Sequence, residues 1–535
     1  MTMTRTVLVG LDGATFSILD SLMESGVMPF LKKFVARGVR GDLRSTIPHV
    51  SPVAWTSCMT GRSPGSHGIF DFIRAEERNG GMYFTLYNSR DIKCETIWSM
   101  ISRQRMRVTL LNFMLTFPAL PISGYVVPGL VSWRHLKQAI QPPELYEKLK
   151  LIPELSYKEL AWDFELEKKV LQRIGQEEYE RWIRFHIRRE RHWFEIARYL
   201  MKVDPCEITA IVFDGIDKLQ HICWRFLDPE LAPSSPSPYE QKISDLCLEY
   251  FAKLDGYLAE IVRLAGPDAN IFFVSDHGFG PTSEIFRVNV WLHDQGYLTW
   301  RTPGNLDEAT KQSWERRQKS NFALLDWNKT KAYARTPSSN GVYIRKACAP
   351  HQSGVSDDEY ETFRKKLTDE LYGILDPKTG ERIVKRVWTR EEAFSGSQMH
   401  QAPDLTLNLR DDGFVSIKDI SPALDSRPEI SGTHTPDGII LAAGPSIRRG
   451  VTADYRSIID IASTLLYSLG LEIPEDLEGR VPVEIFQPAW VQANPVRTVK
   501  TSVAPRLEPA ETDLETETNE DSRIFEQLKA LGYLE

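Results

Sequence analysis

The sequence has no segment typical of a secreted or membrane-spanning protein. Its start, MTMTRTVLVGLDG, lacks the ~7–15-residue apolar stretch and cleavage site of a signal peptide. No run approaches the ~18 apolar residues that a membrane helix needs. The six cysteines are scattered without a Cys-x-x-Cys pair, which disfavours a cysteine-built zinc site and favours free thiols in a reducing compartment. We therefore expect a cytoplasmic protein with no membrane partner.

An excess of positive charge is also absent. The formal net charge is -8, and the basic run at Arg188, Arg189 and Arg191 lies among acidic residues, as on a solvated helix face. This charge balance disfavours a nucleic-acid-binding surface, which needs a basic patch. The 535 residues are 42% hydrophobic and 26% charged. Such a composition predicts an ordinary globular protein: one large domain with insertions, or two to three domains.

Short apolar runs predict the strands of a central sheet. They lie at residues 6–10, 108–113, 208–213 and 271–275, and helical patterns such as 18–38, closed near Gly38, and 241–264 alternate with them. This order predicts an α/β fold with a doubly wound, mostly parallel sheet and helices on both faces. Asp12, Asp217, Asp276 and His277 follow strand runs closely, so we expect them to meet at the carboxyl edge of the sheet, where such folds bind ligands.

Several segments fall outside this core pattern. We predict a core over residues 1–300 and 396–490, with a helical insertion at about 142–200 and an α+β insertion at 301–395. The insertions either cap the site or only add packing. Residues 491–521 are rich in Pro, Thr and Glu, which predicts a flexible acidic linker. Helical spacing of apolar residues predicts a final helix within 522–535 that contacts the same chain or a partner.

The segment SPVAWTSCMTG predicts a short helix that begins at Ser51. Serine is a good N-cap, proline suits the first turn, and Gly61 suits the end. A hydroxyl at a positive helix end, beside free backbone N–H groups, would attract phosphate. On local sequence alone, Ser51 could be only a cap. Thr56 and Ser57 are rival hydroxyls, but both would lie inside the helix.

Two segments carry pairs of residues that could bind a metal ion. Asp217 and His221 are four residues apart, so a helix would point both to one side. A structural pair on a solvated helix is the alternative, and Asp214 competes with Asp217. Asp276 and His277 follow an apolar strand and precede a glycine, where irregular backbone would let both bind one ion.

Two single residues complete the candidate set. Asp12 follows the first strand, although Asp-Gly is also a common turn. His434 lies in a turn-rich loop, where a lone histidine is often only exposed. Taken together, the seven Asp, His and Ser side chains suit two divalent ions, zinc or manganese, beside one hydroxyl nucleophile. That combination indicates phosphoryl transfer through a covalent phosphoserine, followed by hydrolysis.

These segments resemble the alkaline phosphatase superfamily, in its type I phosphodiesterase / nucleotide pyrophosphatase branch, over about residues 5–300 and 396–470. The run TGRSPGSHGI matches the family's Thr-Gly-x-x-Pro-x-x-His-Gly-Ile, and counting back ten residues from its glycine reaches the nucleophile, here Ser51. The resemblance implies two metal sites. Asp217, His221 and His434 would form one, and Asp12, Ser51, Asp276 and His277 the other.

The resemblance also has departures. The nucleotide pyrophosphatases place a phosphate-binding Asn shortly after His-Gly-Ile, where this chain has Phe72; Asn88 is a weak substitute. No sulfatase motif surrounds Ser51 or Cys58. We therefore expect a two-metal phosphodiesterase or pyrophosphatase that acts on a phosphate-ester or nucleotide-like small molecule. The alternatives are a phosphomonoesterase or phosphotransferase of the same superfamily, and a non-catalytic scaffold.

Overall fold

A mixed sheet lies at the centre of the computed structural model, which describes residues 5–78, 81–161, 176–232, 235–301, 325–347, 354–453 and 456–500. Within these residues the strands follow the order Val451–Thr452, Val39–Arg44, Asp437–Ala443, Ala269–Val274, Arg5–Leu11, Ile208–Phe213, Val108–Leu111 and Gly124–Val127, with Arg456–Ser457 also pairing beside Val39–Arg44. Asp437–Ala443 runs antiparallel to both its neighbours, whereas the other pairs are parallel. The predicted mostly parallel sheet is confirmed.

Helices cover both faces of this sheet because its strands are apolar on both sides. Along the first strand, Val7 and Val9 face one buried cluster and Leu8 faces the other. The first cluster packs against Phe16–Glu24, Pro29–Arg37, Gln176–Val203, Gly215–Leu227 and Pro238–Ala265, and the second against Ser51–Thr60, Ile97–Arg103 and Asp460–Ser468. Shorter helices are Pro64–His67, Leu136–Ala139, Pro143–Leu149, Tyr157–Leu160, Val288–Asp294, Arg390–Ala393 and Pro488–Ala493.

The single helix predicted over 18–38 is two helices, Phe16–Glu24 and Pro29–Arg37. Gly26, at φ 81°, turns the chain between them. Gly38 does not end its helix in a left-handed turn, because its φ is -122°. A Cβ there would lie 2.2 Å from Ala442 O, so this glycine permits close approach to a strand.

A second, antiparallel sheet is built from the strands Ala332–Ala334, Gly341–Ile344, Leu405–Leu409 and Val384–Thr389, and the helix Asp357–Tyr372 packs against it. This sheet extends past the predicted insertion boundary at residue 395, because Leu405–Leu409 pairs with Gly341–Ile344 on one side and with Val384–Thr389 on the other. The helical insertion predicted at 142–200 is not a separate layer. Trp182 and Trp193 in its long helix are fully buried in the main core.

A long antiparallel ribbon crosses from the core toward the second sheet. It pairs Gly278–Phe286 with Leu424–Thr435, and its register sets His434 opposite Phe279. A separate hairpin pairs Ile73–Arg78 with Gly81–Leu86. The ribbon thus brings residues far apart in sequence to the end of the Ala269–Val274 strand.

The C-terminal predictions lie mostly outside the described residues. Residues 491–493 end the helix Pro488–Ala493, and Thr498–Val499 pairs with Ile473–Pro474, so the first part of the predicted linker pairs with the core. The predicted helix within 522–535 is not among the described residues. Within the described chain, every helix is too short or too polar to cross a bilayer.

Candidate active site

The seven candidate side chains meet at one edge of the central sheet. Asp12 follows the first strand, Asp276 and His277 follow Ala269–Val274, and the helix Gly215–Leu227 begins just after Ile208–Phe213. The remaining members are Asp217 and His221 on that helix, Ser51 at the start of Ser51–Thr60, and His434 on the ribbon. Of the seven, only His221 is not fully buried. Residues more than four hundred positions apart therefore share one site.

The first predicted ligand group converges on a single point. His434 Nε2 lies 3.0 Å from Asp217 Oδ1, and His221 Nε2 lies 3.3 Å from the same oxygen. The two Nε2 atoms are 3.0 Å apart. Three electron-pair donors at these separations have the types and the closeness of a metal-ligand set.

The second group forms around His277. Its Nε2 lies 3.2 Å from Asp276 Oδ2, 3.6 Å from Asp12 Oδ1 and 3.3 Å from Ser51 Oγ. Ser51 Oγ also donates to Asp12 Oδ1 at 3.3 Å. Donor atoms of Asp12, Asp276 and His277 all lie within 4.8 Å of one another, as do those of Asp217, His277 and His434. The sequence did not predict that His277 would belong to both groups; the ring centroids of His277 and His434 are 3.5 Å apart.

The backbone fixes which nitrogen of each histidine faces the site. Nδ1 lies near a carbonyl oxygen in all three rings: 2.9 Å from His49 O for His434, 3.0 Å from Gly278 O for His277, and 3.3 Å from Gly432 O for His221. A carbonyl only accepts hydrogen bonds, so each Nδ1 carries a hydrogen and each Nε2 faces the carboxylates; in a neutral ring this nitrogen presents a lone pair.

Lone pairs that face one another without a proton between them repel unless a cation lies among them. Burial lowers the pKa of His277, and lowers that of His434 well below its usual value, so these rings are neutral. Asp276 Oδ2 is buried and accepts no hydrogen bond from the described residues. The donor set therefore fits divalent metal ions, and Asp and His ligands suit zinc or manganese.

The carboxylates differ in how well the protein alone stabilises their charge. Burial raises the pKa of Asp276 to about 7 and that of Asp12 well above its usual range, with nearby carboxylates adding to the effect on Asp12. Burial also opposes ionisation of Asp217, but Lys218 and His221 hold its pKa well below the ordinary value. Lys218, 1% exposed, donates to Asp217 Oδ2 at 2.7 Å. Sequence reasoning missed this buried lysine, because a charged residue after Asp217 looks like part of a solvated helix face.

Ser51 differs from the predicted N-cap. The cap position is Val50, and Ser51 is the first helical residue. Its hydroxyl bonds to Asp12 and His277 rather than to the helix backbone. The sequence predicted free backbone N–H groups at this end of the helix. The N–H groups of Val53 and Ala54 donate to Val50 O, and Pro52 has no N–H, so the N–H of Ser51 itself is the remaining candidate to bind a phosphate. The predicted helix end is confirmed: Gly61 closes it at φ 64°.

The rival hydroxyls and the competing carboxylate have other partners. Thr56 Oγ1 donates to Pro52 O at 2.6 Å, inside the helix, and Ser57 Oγ lies 2.9 Å from His67 Nε2. Asp214 forms a buried ion pair with Arg189. None of these three side chains belongs to either donor group among the described residues.

The two positions considered for phosphate binding, Phe72 and Asn88, have the following neighbours in the structure. Asn88 Oδ1 accepts from Arg90 N at 2.9 Å and caps a short 3₁₀ turn, Ser89–Asp91. Phe72 is buried in an apolar cluster with Val50 and Val53, which flank Ser51.

Comparison with known proteins decides the family. A model of the type I phosphodiesterase / nucleotide pyrophosphatase family matches residues 6–437. The chain belongs to this family. The resemblance to the alkaline phosphatase superfamily is thereby confirmed, and phosphoric ester hydrolysis is the general reaction of such proteins. A search of curated proteins finds no significant match.

Two solved structures share the fold of this phosphodiesterase family member at low sequence identity. An inactive form of murine ectonucleotide pyrophosphatase / phosphodiesterase 5 in complex with AMP is 13% identical, at a TM-score of 0.50, over 90% of this chain and 100% of that chain. Phosphonoacetate hydrolase from Sinorhizobium meliloti 1021 in complex with phosphonoacetate is 16% identical, at a TM-score of 0.50, over 87% of this chain and 95% of that chain. Both confirm the fold.

Proposed function

We propose that this family member is a two-metal phosphodiesterase or pyrophosphatase that acts through a covalent phospho-Ser51. One observation carries the proposal. Ser51 Oγ lies 3.3 Å from both Asp12 Oδ1 and His277 Nε2, at the meeting point of the two buried donor groups. A hydroxyl beside paired metal sites is the arrangement for in-line phosphoryl transfer.

The residues divide into two metal-binding groups. Asp217, His221 and His434 would hold one ion. The second would be held by Asp12, Ser51, Asp276 and His277, the last of which also lies close to the first group. When bound, the two ions would lower the pKa of the Ser51 hydroxyl and neutralise charge on the phosphoryl oxygens.

Ser51 Oγ would form the new bond to phosphorus as the bond to the leaving oxygen breaks. The existing hydrogen bond directs the hydroxyl proton toward Asp12 Oδ1, which would accept it and leave a lone pair on Oγ for attack. Water would then cleave the Oγ–phosphorus bond, release the phosphate product and restore the serine. Lys218 would keep Asp217 ionised throughout, from its buried position beside Oδ2.

A small phosphorus-containing anion is the proposed class of substrate. The murine and bacterial proteins of similar fold were solved with AMP and with phosphonoacetate, and both ligands carry phosphorus on a small anionic molecule. Phe72 in place of the family's Asn argues against simple transfer of nucleotide specificity. A phosphomonoesterase or phosphotransferase would use the same groups, and a non-catalytic scaffold would retain them without turnover.

The test is hydrolysis of an aryl phosphodiester and of the matching monoester by chelator-stripped protein, with manganese or zinc added back. Diester turnover restored by metal would support the proposal. Turnover of the monoester alone would favour the phosphatase or phosphotransferase alternative. Metal binding without turnover of either compound would favour a scaffold and contradict the proposal.

A further inference from the structure

A polar cavity lies between the core and the second sheet, apart from the seven proposed catalytic side chains. Its volume is about 520 Å³. The hairpin Ile73–Arg78 with Gly81–Leu86 forms one wall, the strands Ala332–Ala334 and Gly341–Ile344 form another, and the segment 390–404 closes the end. No residue of either donor group lines it, so it is a second candidate binding site.

Arg335 distinguishes this cavity from an ordinary polar crevice. Within the described residues its guanidinium forms no ion pair, and its half-buried side chain donates only to Tyr333 OH at 3.3 Å. Its Nε atom is fully buried and has no hydrogen-bond partner in the part of the chain that the structure describes. Buried polar atoms nearly always have a partner in folded proteins, so the unpartnered Nε and the other N–H groups left over on this half-buried guanidinium indicate a ligand that accepts hydrogen bonds.

The other charged groups of the wall already have partners. Arg74 pairs with Asp91 at 2.5 Å, Lys346 with Asp357 at 3.1 Å, and Arg390 with Asp404 at 2.6 Å. Asp404 also accepts from Tyr360 OH and Ile344 N. Arg335 is therefore the cation of this wall that forms no ion pair with a described carboxylate.

Asp71 is the remaining acid of the wall, and the fold satisfies it internally. It accepts from Ser338 Oγ at 2.5 Å, from Phe72 N at 2.7 Å and from Thr336 Oγ1. These bonds join the core to the second sheet. The cavity is lined by four cations, Arg74, Arg335, Lys346 and Arg390, and by two acids, Asp71 and Asp404, so its lining carries an excess of positive charge that favours an anion.

The remaining wall is aromatic. The Arg335 guanidinium carbon lies 3.6 Å from the centre of the Tyr343 ring, and Tyr87, Phe84 and Tyr333 also face the cavity. Flat side chains of this kind stack on planar rings, and arginine over a tyrosine keeps its edge available for a bidentate contact to phosphate or carboxylate.

We propose that this cavity binds a small organic anion that carries a flat ring beside a phosphate or carboxylate group, with Arg335 as the anion-binding residue. The anion comes either from a remote part of the substrate or from a separate small molecule. Phe72, beside the cavity-lining Asp71, packs against Val50 and Val53 next to Ser51, so a ligand here could be sensed at the proposed nucleophile. Of the two sources of the anion, only a remote part of the substrate depends on the proposed hydrolysis.

The test uses AMP binding to the full chain by calorimetry after chelator treatment, so that bound metal cannot hold the phosphate. We expect AMP to bind, and inorganic phosphate and adenosine to bind at least tenfold more weakly, since each offers half of the contacts. Arg335→Met should weaken AMP roughly ten- to hundredfold. Arg335→Lys should be intermediate, because it keeps the charge and loses the planar fork.

The matched control is His434→Ala, which alters the metal-binding groups and should leave AMP affinity unchanged. No AMP binding by the wild-type chain would overturn the proposal, as would equal affinity in Arg335→Met or loss of binding in His434→Ala. If Arg335→Met does not fold, Arg335→Lys with wild-type affinity and wild-type melting temperature would overturn it equally.

A kinetic arm distinguishes the two sources of the anion. With metal restored and an aryl phosphodiester as substrate, AMP that raises KM without changing kcat would assign the anion to the substrate. AMP that changes kcat would assign it to a separate ligand. Either effect should need more AMP in Arg335→Lys and still more in Arg335→Met. Because the calorimetry needs no turnover, an inactive protein would contradict the proposed function and leave this site testable.

Discussion

Ser51→Ala is the substitution that tests the proposed mechanism most directly. It removes the nucleophile and two long hydrogen bonds, both 3.3 Å, to Asp12 and His277. Long bonds of this kind contribute at most about 1 kcal/mol to folding. Losing a nucleophile that acts with its neighbours as a unit costs on the order of 10³–10⁶ in kcat, which is roughly 4–8 kcal/mol of activation free energy. Activity should therefore fall far more than stability.

Bound metal should change little in Ser51→Ala, because Asp12, Asp276 and His277 remain. The assay is hydrolysis of an aryl phosphodiester at saturating metal, together with the metal-to-protein ratio and the melting temperature. Thr56→Val is the matched control. Valine has the same shape as threonine, and the substitution removes only the hydrogen bond to Pro52 O inside the same helix. The kcat of this variant should therefore stay within about twofold of the wild-type value. Activity of Ser51→Ala within tenfold of wild type, or collapse of activity in Thr56→Val, would refute Ser51 as nucleophile.

Three further predictions concern metal and pH. Asp276→Ala should lower the metal-to-protein ratio by about one ion per chain, because its Oδ2 belongs to the second donor group; a full ratio in that variant would show that the ligand assignment is wrong. Chelator should lower the melting temperature by several degrees, since ions that bind only the folded chain at 100 times Kd stabilise it by about 2.7 kcal/mol; an unchanged melting curve would contradict a buried metal centre. Burial lowers the pKa of His67 from 6.5 to about 3, so the unfolded chain alone takes up this proton, and the free energy of unfolding should fall by up to about 1.4 kcal/mol per pH unit as pH drops from 6.5 toward 3. His67→Asn keeps an acceptor for Ile69 N and should flatten this dependence in urea unfolding, whereas an unchanged slope would exclude His67 as its source.

The parts of the fold that the sequence predicted well are those set by local pattern. Runs such as ITAIVF are apolar at every position but one, as in a strand covered on both faces, and Ile208–Phe213 is buried throughout. Because parallel strands share one carboxyl edge, the positions of Asp12, Asp217 and Asp276 could be inferred from chain order alone. The Ser51–Thr60 helix followed similarly from its proline and its closing glycine.

The errors arose where tertiary contacts override local signals. Ser51 has the residue type of a cap, yet its hydroxyl bonds across the sheet edge, and Val50 takes the cap position. Gly38 looks like a helix terminator but is needed because Ala442 O lies where a Cβ would stand. The second sheet runs past 395 because Leu405–Leu409 completes its pairing. Each of these depends on a partner distant in sequence, and a single sequence does not reveal such partners.

The histidine geometry shows why ligand types can be predicted from sequence and their grouping cannot. No side chain orients the three Nε2 atoms toward the site. The backbone carbonyls of His49, Gly278 and Gly432 do so by bonding to Nδ1, and any residue at those positions would offer the same oxygen. The shared position of His277 likewise follows from the ribbon register that sets His434 opposite Phe279. A substitution that shifts this register by one residue would move His434 to the other face of its strand. The ribbon is therefore as necessary to the proposed metal centre as the ligands themselves.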